Sequence, residues 1–77
     1  MSLEQVFEKW LQSSKPPRVV GLKAAYADFK QFLMEAYHLP SLREAKLCCS
    51  RSRFESLLHD NGFEVLDING AKQVIAQ

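Results

Sequence analysis

The spacing of apolar residues predicts a mainly α-helical domain that closes on a C-terminal β-hairpin. Three observations carry that expectation. Apolar residues recur with a period near 3.6 as far as Asp60, and the period drops to 2 after Gly62. Ser2, Ser41 and Ser50 each precede such a run, where a helix needs a capping hydroxyl. Asn69-Gly70 lies between two short alternating segments, the strongest local signal for a two-residue hairpin turn. The chain of 77 residues, 47% hydrophobic and 25% charged, reads as a single domain over residues 1–77. That length is near the lower limit for a core without metal or disulfides.

The N-terminal helix is expected over residues 1–14. Ser2 with Gln5 forms a capping box, and Leu3, Val6, Phe7, Trp10 and Leu11 share one face. The run "SSKPPR" ends it, because Pro16 and Pro17 cannot continue a helix. Residues 15–20 are therefore expected to be a linker. Three helices are expected within residues 21–61. The first runs from about Leu22 to Tyr37, with Leu22, Ala25, Tyr26, Phe29, Leu33 and Ala36 as its stripe. Pro40 stops it by pushing Leu39 out of the helical region.

Ser41 and Glu44 then form a second capping box, with Leu42, Ala45 and Cys49 expected inward. Ser50 caps the last helix, from Arg51 to about Asp60, whose apolar positions are Phe54, Leu57 and Leu58. Asn61-Gly62 supplies a left-handed stop. Residues 62–77 form the hairpin, and a two-residue turn sets Ile68 opposite Ala71, Asp67 opposite Lys72, Val65 opposite Val74, and Phe63 opposite Ala76. Phe63, Val65, Val74 and Ala76 then share a face that must pack on the helices. Two capped helices joined through Cys48-Cys49-Ser50 and followed by a hairpin have the layout of a winged helix-turn-helix, here preceded by an extra N-terminal helix.

Composition narrows the function classes. No apolar run approaches a membrane span and no signal-peptide pattern opens the chain, which points to a cytoplasmic protein without a membrane partner. Cys48 and Cys49 are adjacent and make no disulfide framework. With His38 and His59 they lack any zinc-ligand spacing, so neither a metal nor another cofactor is expected. The phosphate-binding loop of ATPases is missing, as is any recognisable nucleophile and base set, and the chain is expected to be non-catalytic.

Arg51 and Arg53 pose the functional question, because cations in a first helical turn face the positive end of the macrodipole. On a helical wheel centred on Phe54, the opposite side carries Ser52, Ser56 and His59, flanked by the two arginines. Such a face suits a helix lying in a DNA major groove, with arginines clamping phosphates and short hydroxyls allowing close approach. Residues 43–53 hold Arg43, Lys46, Arg51 and Arg53 against Glu44 alone, a local charge of +3 in a chain of net charge +1. Lys15 and Arg18 add to them, and Lys72 sits where a wing would touch the adjacent backbone. The candidate DNA-binding residues are Arg43, Lys46, Ser50, Arg51, Ser52, Arg53, Ser56, His59 and Lys72. Double-stranded DNA is favoured over RNA, whose deep major groove excludes a helix.

Competing readings stay open. Arg51 and Glu55 are spaced as i,i+4 partners on a plain solvated face, and His59 suits a helix C-terminus for its charge alone. Tyr26, Phe29, Trp10 and Phe32 have the spacing of a packing stripe rather than of a base-stacking platform. A protein-interaction module would suit the near-neutral charge, with Val6, Phe7 and Trp10 as an apolar patch for a partner or a second copy. A small transcriptional regulator of the same fold would need to dimerise to read two half-sites.

The segments "LKAAYADFKQFLMEA" and "SRSRFESLLHDNGFEVLDINGAKQV" resemble the C-terminal winged-helix domain of phage and plasmid primase–helicases. That superfamily includes satellite-phage replication proteins and poxvirus-type helicase-primases. The matching positions are Leu22, Tyr26 and Phe29, then Ser50 and Phe54, then Gly62 and Phe63, within residues 19–77. The resemblance implies an accessory DNA-binding domain behind a hexameric helicase in DNA replication, with Ser50 as helix cap and Arg51, Ser52 and Arg53 facing DNA. The longer "HLPSLREAKLCC" segment and the Trp10 helix depart from that pattern.

Overall fold

The computed structural model describes residues 2–14 and 19–76. Four helices and a three-stranded antiparallel sheet follow in the order α1 (Leu3–Ser14), β1 (Val19–Gly21), α2 (Leu22–Ala36), α3 (Leu42–Cys48), α4 (Arg51–Asp60), β2 (Phe63–Ile68) and β3 (Ala71–Ala76). No helix among the described residues is long and apolar enough to cross a membrane.

Three of the four helices start on a serine hydroxyl. Ser2 and Gln5 exchange hydrogen bonds at the start of α1: Ser2 N donates to Gln5 Oε1 at 2.9 Å, and Gln5 N to Ser2 Oγ at 3.2 Å. Ser41 Oγ accepts from Glu44 N at 3.4 Å and Ser50 Oγ from Arg53 N at 3.2 Å, capping α3 and α4. α2 differs, for it begins at Gly21 straight out of a strand and has no side-chain cap. Its far end is closed by a left-handed His38 (φ 55°). Leu39 N donates to the Met34 carbonyl at 2.8 Å and His38 N to that of Glu35 at 3.3 Å, the paired bonds of a Schellman motif. α4 ends at Asn61, with Gly62 (φ 85°) turning the chain into β2.

The strand order is β1-β3-β2, and β1 corrects the expected linker over residues 15–20. Val19 pairs with Ile75, Val20 with Val74 and Gly21 with Gln73. A strand of three residues carries no readable alternation, and it exists only because β3 offers its backbone from the opposite end of the chain. The part of that linker over residues 15–18 lies outside the described residues. The hairpin register matches expectation, from Phe63 opposite Ala76 to Ile68 opposite Ala71. Asn69 and Gly70 take φ of 53° and 82°, as a type I′ turn requires.

The core is an aromatic cluster shared by three helices. Phe7, Trp10, Phe29 and Phe54 are at most 2% exposed, and their ring centroids lie 5.1–5.9 Å apart. α1 is therefore part of the core rather than an appendage. Val6, Phe7 and Trp10 are buried against α2 and α4 and offer no apolar surface to a partner, which corrects that expectation. Trp10 Nε1 donates to Asp28 Oδ2 at 2.8 Å, and Ser14 Oγ donates to the same oxygen at 3.2 Å. These bonds tie the C-terminal half of α1 to α2 while satisfying the indole. Leu42, expected inward, is 45% exposed; Ala45 and Cys49 alone turn α3 and its exit to the core. A seven-residue helix has room for one buried row, and the smaller side chains occupy it.

Candidate nucleic-acid interface

α4 presents two unlike sides. Phe54, Leu57 and Leu58 are buried, whereas Arg51, Ser52, Arg53, Ser56 and His59 are exposed. Ser56 Oγ donates back to the Ser52 carbonyl at 3.2 Å, which keeps that side low and compact. Ser52, Glu55, Ser56 and His59 line a shallow groove of about 450 Å³ whose other wall is Phe63 and Val65 of β2. Beyond that wall, residues 66–72 of the hairpin are all exposed.

The two arginines of the first turn part company. Arg53 Nη2 donates to Glu4 Oε1, an ion pair that links α4 to the first turn of α1. The Glu4 carboxyl is held below its ordinary range, first by its own backbone N–H and then by the Arg53 charge. Glu4 thus supplies the opposite charge that offsets Arg53 at a helix N-terminus. Arg51 has no ion pair among the described residues and turns toward α2. Glu55, its expected i,i+4 partner, instead takes Lys72 Nζ at 3.4 Å and so braces the hairpin on α4. Lys72 faces Asp67 across the hairpin in register as expected, yet its ion pair runs to the helix.

Arg51 borders two depressions that meet at the N-terminus of α4. One, of about 420 Å³, opens toward the hairpin turn, where Lys23, Arg51, Asp67, Gly70 and Lys72 line it. The other, of about 630 Å³, is walled by Lys23, Tyr26, Lys30, Lys46 and Arg51. Lys30 Nζ lies 4.6 Å from the centroid of the Tyr26 ring. The Tyr26 hydroxyl is buried and donates to the Cys49 carbonyl at 2.7 Å. Burial raises the Tyr26 pKa, the neighbouring Cys49 adds to that, and Arg51 opposes it, so the ring keeps its proton and its donor role.

The structure brings Lys46, Arg51 and Lys72 into this region, with Ser50 capping the helix below it and Ser52, Ser56 and His59 along the adjoining groove. Arg43 is exposed in the first turn of α3 and lines none of these depressions. Arg53 is turned away to Glu4. Lys23 and Lys30 are the residues that sequence reasoning missed. Their signal was legible: with Tyr26 they fall at i, i+3 and i+7 on one helix face. Cys49 is buried and its thiol is pushed up to about 11, chiefly by burial, while Cys48 is exposed. Among the described residues no three of His, Cys, Asp and Glu gather where they could hold a metal ion. No protein-family model matches this chain, and no curated protein or solved structure matches it significantly.

Proposed function

We propose that the chain is a non-catalytic winged helix-turn-helix domain that binds double-stranded DNA, as an accessory domain of a phage-type replication primase or helicase. In this reading α3 and α4 are the helix-turn-helix, α4 enters the major groove, and β2–β3 is the wing. The observation that carries it is the exposed side of α4: a cation at its N-terminal end, then short hydroxyls and an imidazole, beside a hairpin whose residues 66–72 are exposed. β1 supports the same layout by completing a small sheet at the base of the hairpin. Arg51 is placed to meet a phosphate or a guanine edge, while Ser52, Ser56 and His59 face the groove floor. The primase or helicase setting rests on the resemblance of residues 19–77 alone.

Binding of a fluorescent duplex of about 30 bp across a salt series tests this reading. Affinity should fall steeply with salt, and Arg51→Ala should flatten the slope by about one unit if it neutralises one phosphate. No binding at low salt would overturn it.

A further inference from the structure

We infer that the depression between α2, the end of α3 and the start of α4 is a phosphate seat, in which Lys23, Lys30, Lys46 and Arg51 hold a backbone phosphate of the bound nucleic acid. The source of the phosphate rests on the DNA-binding reading; the chemistry of the seat does not.

Charge distribution is the first support. The chain carries 10 lysines and arginines against 9 aspartates and glutamates, so a random surface patch mixes the two signs. Here four cations from three helices share one depression whose remaining wall residue is the uncharged Tyr26. None of the four is in an ion pair among the described residues, whereas Arg53 and Lys72 next to them are both paired. Converging like charges repel one another, and an anion between them reverses the sign of that interaction.

Preorganisation is the second. Lys23 and Lys30 stand three residues before and four after Tyr26, which puts all three on one face of α2. The Tyr26 hydroxyl bonds the carbonyl of Cys49, the residue just before the cap of α4. That single buried bond pins the lysine-bearing face of α2 against the first turn of α4, where Arg51 lies. Tyr26 therefore forms a fixed floor, and Lys30 rests over its ring at 4.6 Å. A seat of this kind positions the duplex without reading its sequence. It shares Lys23 and Arg51 with the hairpin depression, so backbone contacts there would adjoin those of the hairpin at the N-terminal end of α4.

The test is an NMR titration of the chain with sodium pyrophosphate and with the 30-bp duplex, alongside binding by Lys23→Gln/Lys30→Gln. Lys9→Glu, on the exposed side of α1, makes the same charge change elsewhere. Pyrophosphate and duplex should both shift Lys23, Lys30, Lys46 and Arg51. The double variant should lose about tenfold in duplex affinity near 0.1 M salt and flatten the salt slope by about one unit, as expected for one phosphate. Lys9→Glu should stay close to wild type. If the duplex binds yet shifts only α4 and the hairpin, or the double variant falls no further than Lys9→Glu, the seat is overturned and the DNA reading stands. If pyrophosphate shifts the four residues but no duplex binds, the seat stands and the DNA reading falls. If neither ligand shifts them, the seat is overturned.

Discussion

Removing one oxygen from Tyr26 should weaken both the fold and the candidate interface. In Tyr26→Phe the ring stays, 5.3 Å from Phe54 between centroids, so the packing term is nearly unchanged. What is lost is the 2.7 Å bond to the Cys49 carbonyl, in a place where Tyr26 is 7% exposed and Cys49 fully buried. A neutral hydrogen bond is worth about 1 kcal/mol net, and stranding a buried acceptor raises the loss to about 1–3 kcal/mol. For a domain of this length total stability is on the order of 4–12 kcal/mol, so about 2 kcal/mol is a substantial fraction. The melting temperature should fall by roughly 8–16 °C at about 4–8 °C per kcal/mol. Urea and thermal unfolding followed by circular dichroism read this directly. Because no charge is removed, the same variant should also bind pyrophosphate more weakly, through loss of the fixed floor alone. A loss below about 0.5 kcal/mol, less than a typical net hydrogen bond, would refute the claim that this hydroxyl pins α2 to α4.

Two further outcomes follow from the core. Trp10→Ala should cost about 3–5 kcal/mol by opening a cavity beside Phe7, Phe29 and Phe54; a loss below about 0.5 kcal/mol, the range of surface substitutions, would refute the place of α1 in the core. Burial raises the Cys49 thiol from 9.0 to about 11, so the folded state favours its neutral form. That contribution is fully present below pH 9 and is lost as pH rises toward 11. Urea midpoints at pH 8 and 10.5 should therefore drop more for wild type than for Cys49→Ala, and equal drops would contradict the assignment.

The comparison of sequence with structure turns on how far apart the deciding residues lie. The capping box at Ser2, the caps at Ser41 and Ser50 and the Asn69-Gly70 turn were legible because each spans two or three residues. The hairpin register followed from the turn, and every expected pair is present. β1 was not legible, since its partner lies more than fifty residues away and its own three residues hold no pattern. The same limit left two readings of α1 open. Its apolar face is evident from spacing, but only packing decides whether such a face meets the core or a partner, and here Phe29 and Phe54 cover it.

Charge behaved likewise. Sequence alone identified which residues carry charge and placed Arg51 and Arg53 in the first turn of α4. Tertiary structure decided their opposite fates, because Glu4 on α1 captures one and the lysines of α2 surround the other. Local rules act through neighbours along the chain, so composition, caps, turns and helix faces are written in order. Ion pairs and clefts form between elements brought together by burial of the aromatic core, and no local window contains both partners.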